Sequence, residues 1–155
     1  MKRLLAILLC MVVPLTLFAA DSGFDVRYDG GSIPDAKAGN SMKLYIEAGQ
    51  IRLLKGKTEI AKIAAGSVTD LSYGQDVHRR IGTAIGLAVV SLGIGALMAL
   101  SKSKKHFVGI TWADGANKGG FAIQCDKNDY RGVIAGLEGV TGKKAVDSAT
   151  TSVKN

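Results

Sequence analysis

Residues 81–100 read IGTAIGLAVVSLGIGALMAL, and the fate of this stretch decides the fold. It contains no charged residue, and glycine and alanine recur throughout. The residues expected to face lipid are Ile81, Gly82, Ile85, Gly86, Leu87, Val89, Val90, Leu92, Gly93, Ile94, Gly95, Leu97, Met98 and Leu100. Basic residues stand at both ends: His78, Arg79 and Arg80 before it, Lys102, Lys104 and Lys105 after it. A run of about 20 apolar residues is the usual mark of a helix that crosses about 30 Å of hydrocarbon. This run, however, interrupts a chain whose flanks both alternate as β-strands do.

On the near side, residues 24–28 (FDVRY) alternate apolar and charged positions, the period of a half-buried strand. Residues 29–42 hold glycines, Pro34 and Asn40 and read as a loop. Residues 43–47 and 51–54 form two arms of a hairpin about 48–50, and Lys55-Gly56-Lys57 turns the chain into 58–63. Residues 67–73 place Leu71 and Tyr73 on one face and Asp70 and Ser72 on the other. On the far side, 106–112 (HFVGITW) and 121–125 (FAIQC) make another strand pair around a glycine-rich connection.

One straight crossing would put these two groups of strands on opposite sides of a bilayer, each too small to fold well. If the stretch doubles back near Ser91, Gly93 and Gly95, the halves share one sheet. Gly82 and Gly86, four apart, offer a flat helix surface for close packing or self-association. Two arginines before and three lysines after leave little of the charge bias that orients a single span. Each arm of such a helical hairpin would be roughly 13 Å long, too short to cross the hydrocarbon core.

The chain opens as an exported protein does. Lys2 and Arg3 precede an apolar run, and Ala19 and Ala20 end it, so residues 1–20 read as a signal peptide. Phe18 is large for a residue just before a cleavage site, which keeps an uncleaved anchor open. Leu9 before Cys10 is too bulky for a lipoprotein site. Without the leader, Cys125 is the one cysteine left, and no intramolecular disulfide can form. The charge of +7 falls to +5 when Lys2 and Arg3 are lost. In an exported chain with an apolar stretch, that balance points to anionic lipid headgroups or envelope polymers. Aromatic residues make up only 6%, too few for base-stacking platforms, so nucleic acid is not an expected partner.

Asp126 can cap a helix over 127–141, with Tyr130, Val133, Ile134, Leu137 and Val140 on one face and Gly142 as its stop. Gly132, Gly136 and Gly139 each cost about 1 kcal/mol against alanine, so this helix must pack on something. Residues 145–155 lack an apolar stripe and read as a flexible tail.

Seven strands closed by one amphipathic helix, ending in DYRGVIAGLEGVTGKK, resemble the pleckstrin-homology-like superfold, especially its small bacterial members. The resemblance covers residues 43–144, interrupted by 81–100. It implies a mainly β fold, an antiparallel bent half-barrel plugged by a C-terminal amphipathic helix, here with an inserted apolar helical hairpin. Some members of that family bind phosphoinositides through a basic cluster on the first hairpin. Lys43, Arg52, Lys55 and Lys57 lie in the matching region, but Gln50 stands where a base is expected. The resemblance therefore implies an anion preference at most.

No catalytic constellation emerges. There is no nucleophile elbow, no phosphate-binding glycine loop and no Cys-x-x-Cys pair. His78 and His106 flank the apolar stretch and, with Asp76, lack a further ligand at metal spacing. Residues 126–129 (DKND) lack the glycine of a calcium loop and suit a helix cap. Trp112 and Tyr130 read as core or interface aromatics. No enzyme activity, cofactor or metal is expected. The expected product is an exported, membrane-associated module, with Arg79, Arg80, Lys102, Lys104 and Lys105 at anionic headgroups. Two alternatives stand beside it: a soluble exported binding protein whose apolar loop covers a lipid or peptide pocket, and a single-span protein split across the bilayer.

Overall fold

A computed structural model of the chain describes residues 23–74, 77, 80–82 and 105–148. The leader 1–20 lies outside them, as do Asp76, His78, Arg79, Lys102 and Lys104. So do Ile85, Gly86, Leu87, Val89, Val90, Leu92, Gly93, Ile94, Gly95, Leu97, Met98 and Leu100.

The protein is mainly β. Strands β1 (Phe24–Gly31), β2 (Ser41–Glu47), β3 (Gln50–Lys55) and β4 (Thr58–Ala64) follow one another through short turns. A 3-10 turn, Ala65–Ser67, leads into β5 (Val68–Tyr73). After the apolar stretch come β6 (His106–Asp114), β7 (Asn117–Cys125), helix α1 (Tyr130–Thr141) and β8 (Ala145–Asp147). The eight strands among the described residues join one open sheet in the order β4-β3-β2-β1-β7-β6-β5-β8. Every pairing is antiparallel except that of β8 with β5.

β5 and β6, the strands on either side of the apolar stretch, pair directly through Leu71–Ile110 and Tyr73–Val108. β7 then pairs with β1, which ties the last hairpin to the first. A single crossing that left these strands on opposite sides of a bilayer is incompatible with this sheet.

Alternation sorts the strand residues onto two faces. One face sends Val26, Leu44, Ile51, Leu53, Leu71, Ile110, Phe121 and Ile123 into the main core, where α1 adds Val133 and Leu137. α1 touches β2, β5 and β6. β2 and β5 are four strands apart, about 19 Å across the sheet, and the 12 residues of α1, about 18 Å long, span that width.

The helix glycines answer to this packing. A Cβ on Gly132 would sit 3.4 Å from the Phe24 ring, and one on Gly136 would sit 3.1 Å from Ile46 Cδ1. These two positions let β1 and β2 side chains nest on the helix, whereas Gly139 faces open space. Gly142 takes the left-handed conformation (φ 67°) and returns its N–H to Glu138 O, the expected helix stop.

Two local expectations are corrected. The helix begins at Tyr130 with Asp129 as its N-cap, because Asp129 N and Tyr130 N both bond Asp126 O and curl residues 126–129 into a preceding turn. Residues 145–148 are not a loose tail. β8 pairs with Leu71, Ser72 and Tyr73, Ser148 N donates to Tyr73 O (2.8 Å), and Ala145 N donates to Glu138 Oε1 (2.8 Å).

Candidate functional site

The sheet face opposite α1 carries a trough of small residues. Strand alternation puts Ser72 of β5, Gly109 and Thr111 of β6, and Gly120 and Ala122 of β7 side by side there. Val77, Arg80, Ile81 and Gly82 are helical, and this helical start of the apolar stretch lies in the trough. Val77 and Ile81 are 0% and 1% exposed and pack with Phe107 and Ala122 in a second apolar cluster, separate from the main core.

The fit depends on missing side chains. A Cβ on Gly109 would collide with Val77 Cγ1 and lie 2.6 Å from Ser72 Oγ. One on Gly120 would lie 2.9 Å from Ile81 Cγ2. Glycine inside a strand commonly marks such a close approach, and it was the sequence signal available for this site. Beside the trough, Arg80 donates twice to Asp70, Nε to Oδ2 at 2.8 Å and Nη2 to Oδ1 at 3.1 Å. The bond to Asp70 holds the Arg80 guanidinium still more firmly charged. The chain leaves and rejoins the sheet at one point, where Gly74 N donates to Phe107 O (3.0 Å).

Two expected site residues are therefore corrected. Ile81 is a packed residue of the domain rather than a lipid-facing one, because the trough encloses it. Arg80 is committed to Asp70, with both side chains 27% exposed, rather than presented to headgroups. Gly82 is partly buried, and Lys105 enters β6 partly buried.

The expected anion patch assembles only in part. Lys43, Tyr45, Arg52 and Glu47 share the face opposite α1, and the chain reverses at Gly56 between Lys55 and Lys57. Arg52 is bonded by Glu47 and also meets Glu59 at 3.3 Å. Glu47 is held below the usual carboxylate range, first by Arg52 and then by Gln50, whose Nε2 donates to it at 2.6 Å. Lys43 Nζ lies 3.7 Å from Asp25 Oδ1. Acidic neighbours thus offset two of the four cations, while Lys55 and Lys57 stay exposed.

A shallow cavity of about 500 Å³ opens across β1, β2 and β7, rimmed by Asp25, Arg27, Ser41, Lys43, Gln124 and Asp126. Its rim is of mixed charge, and it gives a lipid tail no enclosed apolar chamber. Cys125 also borders it, its side chain in the main core, where burial, with Asp129 adding to it, pushes the thiol up to about 12. Burial likewise pushes the Tyr28 hydroxyl up to about 12.

His106 stacks flat on Tyr130, ring centroids 3.9 Å apart, and Trp112 packs edge-on to Phe121. Among the described residues, no three His, Cys, Asp or Glu side chains gather as metal ligands would, and no helix is long and apolar enough to cross a membrane. No protein-family model and no curated protein matches this sequence.

Proposed function

We propose that the protein is an exported, non-enzymatic, membrane-associated module. In this reading a pleckstrin-homology-like β domain is held at a bilayer, or assembled with other copies, through its glycine-rich apolar stretch. Gly82 and Gly86 are the self-association surface. Arg79, Lys102, Lys104 and Lys105 form the basic collar at anionic headgroups, without Arg80.

The observation that carries this reading is the closure of the sheet across the stretch. β5 pairs with β6, and Gly74 N meets Phe107 O, so the strands on either side of the stretch join in one sheet. An apolar run of this length needs lipid or protein to cover it. The mainly β sheet with α1 packed on one face supports the family likeness.

Membrane fractions from expressing cells test it. The chain is expected in the pellet after high-salt and alkaline carbonate washes, released only by detergent. Release by either wash alone refutes it.

A further inference from the structure

We propose that the outer edge of β4 is a self-association surface, where a second copy of this chain adds its own β4 antiparallel about a two-fold axis. This is independent of membrane attachment and of the surface at Gly82 and Gly86.

β4 is the last strand in the sheet order and, among the described residues, pairs with β3 alone. Such an edge presents a row of backbone N–H and C=O groups to any strand that can match it. What it can match is set by a bulge. Leu54 pairs with Glu59 and Leu53 with Ala61, so Ile60 is an extra residue. Three positions apart in a regular strand, Glu59 and Lys62 would point to opposite faces. The extra residue brings them to the same face. Lys62 stands beside Arg52 in register, and Glu59 meets Arg52 Nη1 at 3.3 Å. Between them, Ile60 and Ala61 are partly buried and both pack against the main core.

The order across the bulge is therefore acid, apolar, apolar, base, with the charges on one face and the apolar pair on the other. Consider a copy turned about an axis between Ile60 and Ala61. Glu59 of each chain then faces Lys62 of the other, and Ile60 faces Ala61. Thr58 faces Ile63 and Lys57 faces Ala64, so no like charges meet. An axis through Ile60 or through Ala61 would instead set Glu59 against Ala61 or Ile63, whose side chains lie on the core face. Lysines and bulges often keep an edge strand from pairing. Here the bulge makes the edge complementary to itself. Lys62 makes no ion pair among the described residues, although its charge helps to lower the Glu47 carboxyl. The second copy's Glu59 would supply one.

Sedimentation equilibrium of the full chain in detergent, over a dilution series, gives the test. Glu59→Lys and Lys62→Glu are made singly, and each turns both cross-strand pairs into like charges. Each is expected to weaken one association step by roughly tenfold or more, since opposite charges across strands stabilise a pair and like charges destabilise it. A one-to-one mixture of the two variants is expected to recover that step, because pairing one with the other restores two opposite-charge contacts. Thermal midpoints close to that of the unmodified chain check that both fold. A second measurement needs no variant: mixed light- and heavy-nitrogen copies, treated with a zero-length carbodiimide, should yield a Glu59–Lys62 crosslink joining a light peptide to a heavy one. An unmodified chain that stays monomeric, a mixture that does not recover the step, or crosslinks confined to peptides of one isotope overturns the proposal. Variants that associate as the unmodified chain does also overturn it, and leave assembly to the apolar stretch.

Discussion

Replacing Ile81 with alanine separates a packed residue from a lipid-facing one. The side chain is 1% exposed and rests on Gly120 and Gly109, whose bare backbones cannot move in to fill the space it leaves. Removing three buried carbons forfeits roughly 2.4 kcal/mol of transfer free energy at about 0.8 kcal/mol each. An unfilled cavity raises the cost, and buried Ile→Ala changes fall at about 2–5 kcal/mol. About 3 kcal/mol is therefore expected, which for a domain of this size lowers the thermal midpoint by roughly 10–15 °C. The assay is thermal unfolding of the detergent-solubilised chain, followed by the β-sheet circular dichroism signal. Val146→Ala, at a side chain 36% exposed, serves as the control and should stay within about 0.5 kcal/mol. An Ile81→Ala midpoint as high as that of the control would show that Ile81 does not pack on the sheet, and the trough would lose its role.

Gly139→Ala should stabilise the domain by about 0.5–1 kcal/mol, because the position faces open space in a helix, while Gly136→Ala should gain less against Ile46; urea unfolding ranks the two. Asp70→Asn should cost about 1 kcal/mol and speed tryptic cleavage after Arg80, read by mass spectrometry of the fragments. The Glu138 carboxyl is held below its ordinary range, first by the Ala145 amide and then by Lys144, so its contribution to β8 docking is present above the ordinary carboxylate range and lost as pH falls through the lowered value. The protection of the Ala145 and Ser148 amides against hydrogen exchange, taken relative to the intrinsic rate at each pH, should fall in acid, and Glu138→Gln should remove that pH dependence. The buried Cys125 thiol, raised to about 12, should resist maleimide at neutral pH in the folded chain and react at an ordinary rate in urea.

Most strands were legible because their stabilisation is local in pattern. Period-two alternation in FDVRY, KLYIE and HFVGITW is the signature of one face buried and one not, and each of these runs lies within β1, β2 or β6. The helix face was legible for the same reason, while its start was not. Asp126 and Asp129 are both good caps, and the choice between them rests on two backbone bonds to Asp126 O that no side-chain pattern encodes. β8 was hidden because three residues carry no usable period, and what holds them is a carboxylate on α1 and the edge of β5. Ile81 was misread for a different reason. An apolar residue opening an apolar run looks alike whether lipid or protein covers it, and Arg80 gives no hint of a partner ten positions back. The signal lay instead on the far strands, in Gly109 and Gly120, where strand glycines leave room for a neighbour.

The trough does more than close a loop, and the magnitudes show why. Inserting a stretch between adjacent antiparallel strands costs little, since closure entropy grows only as (3/2)RT ln n. Pinning the chain at Gly82 rather than at Gly74 shortens the connection to be closed from 75–106 to 83–104, which is worth only about 0.3 kcal/mol on that scale. Burying Ile81 is worth about ten times as much. A domain that merely tolerated an apolar insertion would have no need of two strand glycines beneath it, each weakening its own strand, or of a two-bonded arginine beside it. These features remove rotational freedom at the root of the stretch.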